Sequence, residues 1–175
     1  MSLKILIAED NESIAKAYKL AFENRGHKVS VTKNGQECIR RYKEDLPVEK
    51  TKNSFPFDVV IVDQAMPIKD GATLVGEILD LRPKQRIIFA SAHMDDVIKN
   101  MEKFRRSVEF FQKPFHLENL VHAVETTIHK IPKPPLGSDG FRIWDESELA
   151  QTAGPGPTKG PGHDRKDYRK YDGNF

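Results

Sequence analysis

The sequence predicts an α/β protein in which a five-stranded parallel sheet is doubly wound, with five helices on its two faces. Three observations carry that prediction. Five short apolar runs recur between Leu3 and about Lys130, each of a length suited to a strand buried on both faces. Apolar residues at helical spacing fill most of the intervals between them. At 175 residues the chain can bury most of the apolar surface of one domain without disulfides or a structural metal.

The first run, Ile5-Leu6-Ile7-Ala8, ends at Glu9-Asp10. Ile14, Tyr18, Ala21 and Phe22 then form a helical stripe, and Gly26 stands where a helix C-terminal cap belongs. Val29-Ser30-Val31 is the second strand, and Cys38, Ile39 and Tyr42 mark the second helix. The polar connection 47–56 is longer than most in such folds and reads as a surface loop. Val59-Val60-Ile61-Val62 runs directly into Asp63, and Leu74, Val75, Ile78 and Leu79 stripe the third helix. Ile87-Ile88-Phe89-Ala90 ends at Ser91, followed by Met94, Val97, Ile98 and Met101. Val108-Glu109-Phe110-Phe111 approaches Lys113, and Leu117, Leu120, Val121, Val124 and Ile128 give the last helix a continuous apolar face.

Composition changes at Pro132: the stretch from there onward holds six of the 11 prolines and seven of the 11 glycines. The expected organisation is one domain over 1–131 and a Pro/Gly-rich, largely disordered tail over 132–175. One stretch stands out, Phe141 to Leu149, which carries the only tryptophan, Trp144, in an apolar and acidic setting. It reads as a docking peptide, as a segment that folds back on the domain, or as a stretch with no role of its own.

Charge excludes little but favours nothing: 28 basic against 26 acidic residues leave +2, too weak a field to point to nucleic acid or anionic lipid. Cys38 has no second cysteine to pair with and reads as a small apolar helix residue. No stretch approaches the ~20 apolar residues of a membrane span, so a cytoplasmic protein is expected.

The chemistry gathers at strand ends. The first strand ends in Glu9-Asp10, the third in Asp63, the fourth in Ser91, and the fifth near Lys113. In an open doubly wound sheet, ligands bind beyond the carboxyl ends of the strands, at the switch point in strand order. With the order 2-1-3-4-5, the first strand lies beside the third and these residues share one pocket. Three crowded carboxylates repel unless a cation offsets them, and an oxygen-only set suits Mg²⁺ rather than zinc. A carboxylate flanked by a divalent cation, a lysine and a hydroxyl is equipped to accept a phosphoryl group, here on Asp63. Each residue also has a plainer role: an acid or Asn11 as helix cap, Asp63 as turn former, Ser91 as backbone partner, Lys113 as a solvated cation.

Four motifs stand in order: Ala8-Glu9-Asp10-Asn11; Val62-Asp63-Gln64-Ala65-Met66-Pro67 with Asp70-Gly71 after it; Ala90-Ser91-Ala92; and Lys113-Pro114-Phe115. Over about residues 3–130 the chain therefore resembles the response-regulator receiver domains of two-component signalling, in particular the single-domain chemotaxis regulators. The resemblance implies a flavodoxin-like fold with strand order 2-1-3-4-5, and phosphorylation of Asp63 by a histidine kinase or phosphotransfer protein. It implies one Mg²⁺ bound by Asp10, Asp63 and the Ala65 carbonyl, with Glu9 acting through water. Ser91 and Lys113 would hold phosphoryl oxygens, Phe110 matches the aromatic switch, and Ala65 and His93 occupy positions that tune the phosphoryl lifetime. Output would pass to a downstream protein on the face of the fourth helix, fifth strand and fifth helix, with the tail as modulator.

Glu9 stands where the family more often has Asp, and Gln64 is polar where an aliphatic residue is common. No pattern of winged-helix or helix-turn-helix length follows the last helix, so no DNA-binding domain is expected. A Mg²⁺ phosphatase of the haloacid-dehalogenase type would need a carboxylate two residues after the nucleophile, where Ala65 stands. A nucleic-acid binder acting through residues 164–172 would have only +1 there, four basic residues among three acidic ones, and so weak, salt-sensitive contacts.

Overall fold

The computed structural model of the chain describes residues 1–47, 55–93, 101, 104, 108–126 and 143–144. Strands β1 (Lys4–Ala8), β2 (Lys28–Thr32), β3 (Val59–Asp63), β4 (Ile87–Ser91) and β5 (Val108–Gln112) pair in parallel in the order 2-1-3-4-5. The four described helices are α1 (Glu12–Glu23), α2 (Gly35–Glu44), α3 (Gly71–Leu81) and α4 (Leu117–Thr126). The helix expected at Met94, Val97 and Ile98 lies outside the described residues, although Met101 is described and buried. Most of the 47–56 connection also lies outside them; its end turns inward, with Pro56 and Phe57 buried and the Phe57 ring 6.2 Å from that of Tyr42.

Local chemistry sets where the helices begin. Asn11, Asn34 and Asp70 each hold an extended backbone, and each side chain accepts a hydrogen bond from an N–H of the first turn that the helix itself leaves unpaired. After α1 the chain reverses through Gly26, whose φ of +81° lies in the left-handed region that favours glycine.

Every residue of β3 and β4 is buried, as central strands covered on both sides require. Because side chains alternate, the sheet feeds two cores. Leu6, Val60, Val62, Phe89 and Phe110 pack with Cys38, Tyr42, Leu74 and Ile78 of α2 and α3. Ile5, Ile7, Ile61, Ile88 and Phe111 pack with Tyr18, Phe22, Leu120 and Val124 of α1 and α4. Burial pushes the Cys38 thiol up to about 12, in keeping with its reading as an inert core residue.

The sheet has one more member than the five runs predict. Ile143–Trp144 forms a two-residue strand, β6, parallel to β5 on its outer edge, with Ile143 opposite Phe110 and Trp144 opposite Phe111. It falls in the one stretch of the tail that the sequence sets apart. Two residues show no periodicity, so nothing in the pattern announces a strand there; the remainder of 127–175 lies outside the described residues.

Candidate acidic site at the strand ends

Glu9 and Asp10 follow β1, Asp63 closes β3, Ser91 closes β4, and Lys113 follows β5. The fold thus delivers residues from four strands to one end of the sheet. Asn11 takes the cap of α1, its side chain accepting from the N–H groups of Ser13 and Ile14, which leaves Glu9 and Asp10 out of that role. Carboxylate oxygens of Glu9, Asp10 and Asp63 lie within 4.8 Å of one another. Glu9 and Asp63 are buried and Asp10 is exposed, so the cluster opens to solvent on the Asp10 side.

Lys113 is the counter-charge. Its Nζ donates to Asp63 Oδ1 at 2.6 Å and to Glu9 Oε2 at 3.3 Å. Burial alone would lower the Lys113 pKa, but its hydrogen bond to Asp63 and the charges of Asp63 and Glu9 outweigh that and raise it. Glu9 moves upward as well: burial is the main cause and the Asp63 charge adds to it, against opposing pulls from Lys113 and the Asn11 N–H. One cation does not balance two buried carboxylates and a third at the rim. An oxygen-only cluster left with excess negative charge fits a hard divalent ion.

Ser91 is buried, and its Oγ accepts from the His93 N–H at 3.1 Å. His93 itself is exposed, as is Ala65. Phe110 is fully buried, edge-on to Phe89 at 5.9 Å, and so turned into the core. Gly71 matters for Asp63: its N–H donates to the Gln64 carbonyl at 3.1 Å, and a Cβ there would collide with the Asp63 carbonyl.

Two features escape sequence reading. Burial first, and then the charges of Glu9 and Asp63, push the Tyr18 phenol pKa upward, so this residue of the apolar stripe of α1 also feels the acidic site. Gln64 Oε1 is, among the described residues, the one buried side-chain oxygen without a hydrogen-bond partner. Its unusual polarity is visible in the sequence; its missing partner is not.

The family described as "Response regulator receiver domain" matches residues 5–125. The chain belongs to this family. Its relatives include the response regulator receiver protein CpdR of Brucella abortus, 27% identical over 122 residues, with 70% of this chain and 93% of CpdR covered. The chemotaxis protein CheY of Bacillus subtilis is 28% identical over 132 residues, which cover 74% of this chain and all of CheY. In others the match is part of a longer chain, down to 13% of a sensor kinase. Among solved structures, a receiver domain protein from Clostridium thermocellum has a TM-score of 0.59 at 26% identity, covering 74% of this chain and 96% of that one. Receiver domains are signalling proteins rather than enzymes of a separate substrate, and they work with histidine kinases or phosphotransfer proteins. The pocket of Glu9, Asp10 and Asp63 fits aspartyl phosphorylation with Mg²⁺. No described helix is long and apolar enough to cross a membrane.

Proposed function

We propose that residues 1–131 receive a phosphoryl group on Asp63, that Mg²⁺ is the cofactor, and that the phosphorylated chain signals by binding another protein. The observation that carries this reading is the Lys113–Asp63–Glu9 arrangement beside Asp10, with its surplus of buried negative charge. Asp10, Asp63 and the Ala65 carbonyl would hold the ion, with Glu9 acting through water. When bound, Mg²⁺ supplies positive charge that offsets the carboxylates and the incoming phosphoryl oxygens.

An Asp63 carboxylate oxygen attacks phosphorus in line; the new O–P bond forms as the donor's P–N or P–O bond breaks, and the donor keeps the bonding electrons. Lys113 neutralises charge on the phosphoryl oxygens from the position it holds against Asp63. The Ser91 hydroxyl already accepts from His93, which leaves its own proton to donate to a phosphoryl oxygen. His93 and Ala65, both at the rim, set the access of hydrolytic water and hence the lifetime of the acyl phosphate. Phe110 is the switch residue.

The chain catalyses only its own phosphorylation and dephosphorylation. A histidine kinase or phosphotransfer protein supplies the phosphoryl group in the cytoplasm, and a downstream protein reads the face around β5 and α4. With acetyl phosphate, intact-mass measurement should show the gain of one phosphoryl group in the presence of Mg²⁺ and none in its absence. Asp63→Asn should abolish the gain; equal labelling of that variant would remove Asp63 from the acceptor position.

A further inference from the structure

The outer edge of β5 is an unusual place to leave open. Its five residues, Val108–Gln112, are buried except for the last, and an uncovered apolar edge strand offers a row of unpaired N–H and C=O groups to any extended chain. The Lys113 N–H donates to the Ser91 carbonyl, toward β4. Backbone groups of successive strand residues point to opposite sides, so the N–H groups of Phe111 and Lys113 face β4, while those of Phe110 and Gln112 face the outer edge. That edge is where Ile143 and Trp144 sit, opposite Phe110 and Phe111.

Both residue types favour extended backbone. Residues 127–142 join α4 to Ile143 and can reach ~50 Å when extended, ample to return to the edge of the same molecule. A two-residue strand makes few ladder bonds, so its detachment is local and inexpensive. Position adds a connection to the site: β5 ends one residue before Lys113, whose ammonium is held by Asp63 at 2.6 Å. A phosphoryl group on Asp63 places new negative charge between that carboxylate and Lys113 and re-aims the lysine, and the load falls on the strand that carries β6.

We infer that the outer edge of β5 is a strand-docking surface, that its occupant is this chain's own Ile143–Trp144 segment, and that phosphoryl transfer to Asp63 lowers the occupancy. Release uncovers two things together: an open β5 edge, able to take an extended apolar peptide of a partner, and the tryptophan-bearing segment itself. The coupling rests on Asp63 being the acceptor; the docking does not.

Hydrogen exchange of the full chain, followed amide by amide by NMR, tests both parts. The Phe110 amide should be protected, and Trp144→Pro, which removes the β6 N–H that faces the Phe110 carbonyl and disfavours pairing, should speed its exchange about tenfold or more. The Phe111 amide, bonded toward β4, should stay unchanged and shows that the variant is folded. Equal Phe110 exchange in the two proteins overturns the docking. Protection that grows with protein concentration assigns the strand to a second copy and overturns the choice of occupant. With acetyl phosphate and Mg²⁺, Phe110 exchange should rise about 5-fold or more. A chain that gains a phosphoryl group by mass yet exchanges as before overturns the coupling. A chain that gains none overturns the acceptor reading and the coupling with it, while the Trp144→Pro comparison still decides the docking.

Discussion

Ile68 is 82% exposed and holds φ at +70°, a left-handed backbone that β-branched residues rarely adopt. The strain sits five residues after Asp63, in the loop that brings Gly71 against it, and strained backbone collects at functional sites because the surrounding structure enforces it. Nothing in the spacing of the sequence foretells it: Pro67-Ile68-Lys69 reads as an ordinary loop, and a dihedral angle has no periodicity. Asparagine tolerates that conformation and restrains the unfolded chain more than glycine would. Ile68→Asn should therefore raise stability by about 1 kcal/mol. Chemical denaturation measures it, and an unchanged or lower midpoint would show that Ile68 is held without strain.

Between elements, Arg86 joins the start of β4 to β5 and α4. Its Nε donates to Glu109 Oε1 at 3.1 Å, and its two terminal nitrogens donate to the carbonyls of Val124 and Ala123 at 2.9 and 2.8 Å. Glu109 is buried, so losing the guanidinium takes a counter-charge from a carboxylate in the interior and uncaps the last turn of α4. Arg86→Leu should cost about 3 kcal/mol of folding stability, read as a lowered urea midpoint with phosphorylation at the far end of the sheet retained in the folded protein. A loss under ~1 kcal/mol would mean the pair is not holding these elements together. The apolar runs of β1, β3 and β4 announce their strands because strands buried on both faces have few polar residues to blur the signal. Arg86 and Glu109 announce nothing, since partners 23 positions apart, one just before β4 and one within β5, follow no repeat. The same holds for β6, too short to alternate.

At the scale of the whole molecule, the acidic site ties stability to pH and to metal. Glu9 has a folded-state pKa above its value of 4.5 in the unfolded chain, so its contribution to stability is present below that value and is lost as pH rises through the raised one. A divalent ion held by the ionised cluster of the folded state, as proposed above, would reverse that loss. The rise in Tm on adding Mg²⁺ should therefore be large at neutral pH and shrink as pH falls toward 4.5, and Glu9→Gln should flatten the metal-free profile. Thermal melts across pH with and without Mg²⁺ decide it; a metal shift independent of pH over that window would separate Glu9 from the ion. Glu9, Asp10, Asp63 and Lys113 were legible as a group because each ends a predicted strand. Their convergence needed the strand order, and the raised Glu9 pKa needed the burial that only packing supplies. The sixth strand has one more consequence. Because β6 is covalently attached, it meets the β5 edge at an effective concentration of roughly millimolar, so even a contact of millimolar intrinsic affinity is about half occupied. A partner present at about micromolar levels then needs roughly a thousandfold tighter affinity to share the edge equally. The tail thus acts as an affinity threshold, screening out weak extended peptides and admitting only a strand that binds far better than the chain's own.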